Sequence, residues 1–255
     1  MKKVLLVALM VLALQACKEN AKETSADIDA ETAAETDMKM SEDNEWTELS
    51  LDDWQAFKGG PAPEFWKEED GAIVFYPPSD EARMSPDGER KSFNIVTKND
   101  YSSFVLSLEW KISDTGNSGI MWGVSEEDKY KEPYHTGLEI QVLDNEKHPD
   151  AKNGTTHQAG ALYDLVEPSE DATKPVGEWN LAEITVDYAA NKGSSVLNGV
   201  EVATFPVGGP ELDQLLKGSK FDGWDGFGKF KTGKIALQDH GDVVAFRNIK
   251  IKELK

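Results

Sequence analysis

Short stretches in which apolar and polar residues alternate follow one another along residues 46–255, and glycine, proline, asparagine and aspartate separate them. A period of two is typical of strands that bury one face. The pattern predicts strands over residues 71–76, 93–97, 103–112, 118–124, 137–143, 180–188, 194–204, 234–240 and 243–253. Asn198-Gly199 is a dipeptide typical of tight hairpins, and the best helical pattern is a short one near 210–216. Strands at this spacing predict one all-β domain, a sandwich or a jelly roll.

The N-terminus has a different pattern. Two lysines precede an apolar run, residues 4–14, that is too short to cross a bilayer as a permanent helix. Leu14-Gln15-Ala16-Cys17 then resembles a bacterial lipoprotein signal, in which the cysteine becomes the lipidated first residue of the mature protein. Cys17 is the only cysteine in the chain, so no internal disulfide is possible. We expect residues 1–16 to be a lipoprotein signal peptide and Cys17 to anchor the protein in the bacterial cell envelope, facing the periplasm or the cell surface.

The segment that follows is strongly acidic. Residues 18–45 contain ten acidic residues, three lysines and no aromatic residue. Such a composition cannot form a core, and it predicts a disordered tether over 17–45 that holds the domain away from the membrane. The formal net charge of −20 for the whole chain repels phosphate backbones, so we expect no nucleic acid partner. It also disfavours anionic polysaccharides, and neutral sugars remain.

Two predicted strands carry polar pairs on one face. In LEIQVLD, residues 138–144, Glu139 and Gln141 share one face and the aliphatic residues between them take the other. In the run 234–240, Gln238 and His240 share a face in the same way. The bland interpretation is a solvated sheet face. The alternative is that each strand is half core and half active-site floor.

Further stretches carry a resemblance to a known family. They are WQAF, EFWKEEDGAIVF, FVLSLEWKISDTGNSGIMWGV, GLEIQVLDNEKH, HQAGALYDLV, GEWNLAEI, VLNGVEV and GKIALQDHGDVVAFRNIKIKEL. In this order and spacing they resemble the bacterial secreted family known as the 3-keto-disaccharide hydrolase domain, over roughly residues 46–254. The resemblance implies a concanavalin A-like jelly-roll β-sandwich of two antiparallel sheets. It also implies action on glycosides whose sugar is oxidised to a ketone at C3, which an upstream sugar 3-dehydrogenase has to supply.

A 3-keto sugar needs acid and base groups of the kind found here. The ketone acidifies the hydrogen at C2, a base removes it, and the enolate expels the group at C1 before water adds. We expect Glu139, His240 and Asp144 to be catalytic, with His240 or Glu139 as the base and Asp144 orienting a histidine or holding a cation. We expect the substrate to contact Asn117, Trp122, Gln141, His157, Tyr163, Gln238 and Arg247. The alternatives are a core position for Trp122, a solvent-exposed loop for His157 and a structural clamp on a loop carboxylate for Arg247.

The sequence predicts no certain cofactor. It lacks the glycine-rich strand–helix fingerprint of nicotinamide-binding proteins. A divalent cation that stabilises the enolate is an open alternative, and its candidate ligands are Asp144, His148, His157 and His240. None of these has diagnostic metal-ligand spacing.

Two other functions fit an all-β scaffold. Retaining β-glucanases on this scaffold carry E-x-D-x-x-E or E-x-D-x-E on one strand, and here Gln141 replaces the aspartate. Their mechanism needs two carboxyls about 5–5.5 Å apart, but Glu139 and Asp144 fall on opposite faces of a regular strand. A non-catalytic carbohydrate-binding module needs rings and hydrogen bonds but no histidine–carboxylate cluster. Whether Glu139 and His240 meet in one pocket discriminates between a module and an enzyme.

Overall fold

The computed structural model describes residues 45–255 as a nearly all-β domain. In chain order the strands are β1 (Thr47–Glu48), β2 (Trp54–Ala56), β3 (Trp66–Glu69), β4 (Ala72–Phe75), β5 (Ile95–Thr97), β6 (Phe104–Ile112), β7 (Asn117–Val124), β8 (Leu138–Leu143), β9 (Asn180–Asp187), β10 (Lys192–Leu197), β11 (Val200–Phe205), β12 (Lys234–Leu237) and β13 (Val244–Glu253). The helices are α1 (Asp80–Arg83) and α2 (Gly209–Leu216), with short 3₁₀ turns at Leu51–Asp53, Pro133–His135, Pro149–Asn153 and Thr155–His157.

The strands form two antiparallel sheets. The larger sheet has the order β11-β10-β9-β6-β13-β4-β3, and β1 pairs with β13 as its eighth strand. The smaller sheet has five strands in the order β2-β5-β12-β7-β8. The sheets enclose a core in which Leu106 and Phe246 of the larger sheet and Ile140 and Leu237 of the smaller sheet are at most 2% exposed. The predicted β-sandwich of two antiparallel sheets is therefore confirmed.

The predicted elements agree with the structure in most places. The predicted strand 194–204 is the hairpin β10–β11, and Asn198 and Gly199 at its turn have φ values of 52° and 87°, as a type I′ turn requires. The helical pattern near 210–216 is α2. Strands β1 to β3 were not predicted, because they are short and little of their sequence alternates.

The predicted end of the strand 234–240 is wrong, and this boundary matters because two candidate site residues lie there. The predicted strand 234–240 ends at Leu237, so Gln238 and His240 lie in the segment that leaves β12. The Asp239 side chain accepts two hydrogen bonds from the Arg83 guanidinium, at 2.6 and 3.1 Å, and one from the Phe93 backbone N–H at 2.9 Å. These bonds fix the segment although the ladder has ended. The alternation of the side chains therefore continues beyond the strand.

Some sequence predictions cannot be compared with the structure. The predicted signal peptide, Cys17 and all of the tether except Glu45 lie outside the described residues. Within residues 45–255, no helix combines the length and the apolar character that crossing a membrane requires.

Candidate active site

The outer face of the five-stranded sheet carries a cleft of about 470 Å³. Strands β7 and β8 and the segment after β12 form its floor, because paired residues of antiparallel strands share a face and Gly119 pairs with Gln141. The lining residues are Asn117, Tyr134, Glu139, Gln141, Tyr163, Lys220, Phe221, Trp224, Gln238 and His240. The cleft therefore brings together both polar pairs that the sequence analysis singled out. Strand β8, which carries Glu139 and Gln141, is core on one face and cleft floor on the other.

Glu139 is a buried carboxyl at the floor of the cleft. It is 7% exposed, and its carboxyl makes no hydrogen bond with any residue between 45 and 255. Gly119 on β7 leaves the space for it, since a Cβ at position 119 would lie 1.8 Å from Glu139 Oε1. Burial raises the pKa of Glu139 to about 8, although Lys220 opposes the shift. At neutral pH most molecules therefore keep this carboxyl protonated, which is the form that a general acid needs.

Tyr163 and Lys220 cover one side of the cleft beside Glu139. The Tyr163 hydroxyl donates to Asp150 Oδ2 at 2.9 Å, and burial together with this carboxylate raises the Tyr163 pKa. Lys220 Nζ lies 3.9 Å from the centre of the Tyr163 ring. Burial lowers the pKa of Lys220, and Glu139 and Asp164 act in the opposite direction. Lys220 is the only lysine or arginine among the lining residues.

His240 faces the cleft from the segment after β12. Its Nε2 lies 3.5 Å from Asn117 Nδ2. His240 is exposed to solvent. The protein packed around its ring nevertheless lowers the His240 pKa; Asp242 opposes this shift and His148 adds to it. The imidazole is therefore neutral at pH 7, which is the form that a general base needs.

Three side-chain amides complete the floor. Asn117 Oδ1 and Gln238 Oε1 are buried and have no hydrogen-bond partner among residues 45–255. Gln141 Oε1 accepts the Val142 N–H at 3.2 Å, which leaves the Gln141 NH₂ group without a described partner. A buried acceptor without a donor costs about 1–3 kcal/mol. Hydroxyl groups of a sugar are the kind of donor that would satisfy these amides.

Two predicted site residues lie outside the cleft. Trp122 is 2% exposed and stacks on Phe205 at 5.9 Å between the sheets, because it alternates with Met121 and so faces inwards. Asp144 is 3% exposed, and its carboxylate accepts backbone N–H groups of Thr115, Glu146 and Lys147 at 2.8 to 3.2 Å. The structure corrects both placements: Trp122 belongs to the core, and Asp144 ties the loop after β8 to the turn before β7.

Arg247 is also placed away from the cleft. It lies on the outer face of the larger sheet, where its guanidinium donates to Glu109 at 2.9 and 3.2 Å and stacks 4.1 Å from the Trp179 ring. Arg247 pairs with Glu109 across β13 and β6, and this ion pair lowers the Glu109 pKa. The structure therefore favours the alternative of a structural clamp over a substrate contact.

His157 lies behind the cleft wall rather than in it. Its Nδ1 is 3.0 Å from Asp150 Oδ1 and its Nε2 is 3.1 Å from Asp164 Oδ1. Asp150 also holds the Tyr163 hydroxyl, and Asp164 accepts the backbone N–H of Lys220 at 2.9 Å. His157 therefore connects the two carboxylates that position Tyr163 and Lys220. It is neither a solvent-exposed loop residue nor a lining residue.

One group of side chains has the composition of a cation site. We call His148, His240 and Asp242 the two-histidine cluster; their ligand atoms lie within 4.8 Å of one another. Two of the four ligands suggested by the sequence belong to it, and Asp144 and His157 do not. Two imidazoles and a carboxylate suit a transition metal. However, His148 Nδ1 accepts the Asp150 N–H at 3.1 Å. With Nδ1 as an acceptor, the ring proton of His148 lies on Nε2. To bind a cation through Nε2, His148 would have to move that proton to Nδ1 and give up the hydrogen bond from Asp150.

Several contributing residues were missed in the sequence. Lys220 and Phe221 follow α2, more than 70 residues beyond β8, and no local pattern connects them with Glu139. Arg83 pairs with Asp239 across 156 positions. Gly119 had a readable signal, because a glycine inside a strand often marks the close approach of another group. Tyr134 had none.

Comparison with known proteins identifies the class of protein to which this chain is similar. Over 223 residues the chain is 35% identical to a Bacteroides thetaiotaomicron protein named 3-keto-disaccharide hydrolase, covering 79% of this chain and 74% of the relative. A crystal structure of a candidate glycosyl hydrolase from Parabacteroides distasonis matches 80% of this chain and 89% of its own at 31% identity, with a TM-score of 0.69. A second such protein from the same organism matches 79% and 99% at 26% identity, with a TM-score of 0.59. The class is that of carbohydrate-active enzymes that cleave glycosidic bonds.

The family follows from the sequence. The model of the 3-keto-alpha-glucoside-1,2-lyase-like domain matches residues 37–252. This chain belongs to that family, which confirms the resemblance drawn from its motifs.

Proposed function

We propose that this chain cleaves glycosides whose sugar carries a ketone at C3, by elimination followed by hydration. The base removes the C2 proton, and the negative charge moves to the oxygen at C3. The enolate then expels the C1 oxygen, which takes a proton as the C1–O bond breaks. Water adds to the resulting C1–C2 double bond. The sum is the hydrolysis of one glycosidic bond, and no oxidant or reductant is consumed.

We assign the base to His240 and the acid to Glu139. The observation that carries this assignment is that both side chains line one cleft. Their surroundings displace the two pKa values in opposite directions, since burial lowers that of His240 and raises that of Glu139 to about 8. Environments that move the pKa values of two groups apart in this way suit one as base and the other as acid. After the first step His240 holds the C2 proton and Glu139 has given its proton to the leaving oxygen.

The floor of the cleft supplies hydrogen-bond donors for the enolate oxygen. The NH₂ groups of Gln141 and Gln238 line the cleft without a described partner. Donors aimed at the place where charge develops stabilise the transition state more than the substrate. We assign the C3 oxygen to these amides and the sugar hydroxyls to the unpaired Asn117 and Gln238 oxygens.

An ordinary retaining glycosidase is a poorer fit. Glu139 is the only carboxylate among the lining residues, and Asp144 is held by backbone N–H groups elsewhere. A retaining mechanism needs a second carboxyl about 5–5.5 Å away. The cleft therefore supports chemistry that uses one acid and one base of different type.

We also propose where the enzyme works. A sugar 3-dehydrogenase has to form the ketone, because a C3 hydroxyl does not acidify C2–H. The lipobox-like sequence ending at Cys17 supports a lipid anchor in the cell envelope. Metabolic labelling with a radioactive fatty acid tests this: the wild type should take up label and Cys17→Ser should not. Label in Cys17→Ser would contradict the anchor.

Two paired substrates test the activity. The substrates are a chromogenic 3-keto-α-glucoside and its unoxidised parent, and the proteins are the wild type, His240→Gln and Glu139→Gln. We expect the wild type to cleave only the keto sugar, and each variant to lose about 10²-fold to 10⁴-fold in kcat, the range for acid–base groups. Tyr76→Phe, on the other sheet, is the matched control and should keep full activity. Cleavage of the parent glycoside would contradict the proposal.

A further inference from the structure

One end of the cleft is aromatic and unusually exposed. Trp224 is 36% exposed and Tyr134 is 39% exposed, and their ring centres lie 6.4 Å apart. Among residues 45–255 only one other tryptophan, tyrosine or phenylalanine is exposed, Tyr76 on the other sheet. Two of the three exposed aromatic side chains therefore line the cavity that contains Glu139.

The loop that carries Trp224 packs against part of that ring and leaves the residue 36% exposed, because the ring centre lies 5.4 Å from that of Phe221 and 6.1 Å from that of Phe227. Phe221 and Phe227 of the same loop are 4% and 2% exposed and stack at 3.7 Å. Gly226 lies so close to Tyr130 that a Cβ would come within 2.4 Å of the Tyr130 ring. A loop that buries two phenylalanines could also bury the tryptophan, which would remove more apolar surface from water. The exposed ring is instead available to a ligand.

The strand register orders the groups along the cleft. The Gly228 N–H donates to Thr136 O at 2.8 Å, so the Trp224 loop lies beside the start of β8. Glu139 comes next on β8, followed by Gln141, which pairs with Gly119 of β7. Gln238 lies at the same height along the cleft as Gln141, because the Gln238 N–H donates to Gly119 O at 3.0 Å. Asn117 and its neighbour His240 lie furthest along, opposite Leu143. The four steps along the strand from Glu139 to Leu143 span about 13 Å at 3.3 Å each, which is room for one sugar ring.

We propose that Tyr134 and Trp224 form the binding subsite for a neutral sugar ring in the leaving group, and that these two side chains set how strongly the enzyme prefers a disaccharide to a simple glycoside. This inference rests on the proposed function, because Glu139 is the acid that protonates the leaving oxygen. With the keto sugar at the amide end and Glu139 next along the cleft, the departing ring lies at the aromatic end. Pyranose rings pack their C–H faces on tryptophan and tyrosine. The net charge of −20 disfavours an acidic sugar there.

The test compares two substrates that differ only in the leaving group. The probes are 3-keto-maltose, oxidised on its non-reducing ring, and methyl 3-keto-α-glucoside. For Trp224→Ala and Tyr134→Ala we expect kcat/KM on the disaccharide to fall about tenfold or more, which corresponds to one stacking contact. On the methyl glycoside we expect a change within about twofold. Trp224→Phe should recover most of the loss. Tyr76→Ala removes an equally exposed tyrosine elsewhere and should change neither substrate.

The possible outcomes distinguish a failure of the proposed subsite from a failure of the proposed function. Equal losses on both substrates would show that the rings support the fold of the cleft, and unchanged values would show that they do not touch the leaving group; either result overturns the subsite. If one variant does not fold, the other gives the answer, because the two side chains come from different loops. A wild type that cleaves neither keto substrate would instead overturn the proposed function.

Discussion

Gly119→Ala should disable the enzyme without unfolding it. The new Cβ would lie 1.8 Å from Glu139 Oε1 and 2.6 Å from its Cδ. To regain an ordinary contact of 3.4 Å the carboxyl has to move by about 1.6 Å. A misplacement of about 1 Å in an active site costs about 10²-fold in rate, so we expect kcat to fall by about that factor. The folded state should lose little, since the group that yields is the end of a flexible side chain and alanine is about 0.5–1 kcal/mol better than glycine inside a strand.

The assay measures kcat/KM on a 3-keto-glucoside and the free energy of unfolding in urea for the same proteins. Gly208→Ala is the matched control, because its Cβ meets nothing closer than 3.9 Å; it should keep both activity and stability. Glu139→Gln combined with Gly119→Ala should be no worse than the poorer single variant, since both changes act on one carboxyl. A folded Gly119→Ala protein with activity within threefold of the wild type would refute the role of Glu139.

Four further predictions concern charged groups and a bound cation. Arg83→Met leaves the buried Asp239 carboxylate unpaired and should cost about 3–5 kcal/mol of unfolding free energy, whereas Arg247→Met breaks a partly exposed pair and should cost about 0–1 kcal/mol; equal costs in urea titrations would contradict the difference in burial. The pH profile of kcat/KM should fall above about pH 8 as Glu139 loses its proton and below pH 6.5 as His240 gains one, and a flat profile between pH 5 and 9 would contradict both assignments. Because folding binds a proton at Glu139, the stability of Glu139→Gln relative to the wild type should increase from about pH 4.3 up to about pH 8, and a constant difference would show that the carboxyl is not protonated in the folded state. Dialysis against EDTA separates acid–base chemistry from the cation alternative at the two-histidine cluster: we expect activity within about twofold, and a loss that Zn²⁺ restores would favour the cation.

The sequence predicts much of the sandwich because several of its strands alternate apolar and polar residues, β9 among them. Glu139 and Gln141 could be assigned to one face from their spacing alone, since a strand has a period of two. The same rule succeeded for Gln238 and His240 although β12 stops before them. The Asn198-Gly199 dipeptide, and not the alternation, indicated the turn between β10 and β11.

The parts that the sequence could not predict depend on contacts between distant segments. Trp122 was expected to contact the substrate, but the register of β7 turns it into the core. Asp144 looked catalytic because it follows the strand of Glu139, yet three backbone N–H groups are close enough to bind it. Lys220 reaches the cleft only because the loop after α2 packs beside the start of β8. No local periodicity records such packing.

Cleavage of a 3-keto-glucoside in D₂O, followed by NMR of the early product, tests the elimination account most directly. Elimination removes the C2 proton and hydration returns a proton from solvent, so the account predicts deuterium at C2 of the released 3-keto sugar. Authentic 3-keto-glucose incubated for the same time with Glu139→Gln, which retains His240, measures the exchange that does not depend on cleavage. Product that keeps its original hydrogen at C2 would contradict elimination and indicate direct displacement at C1.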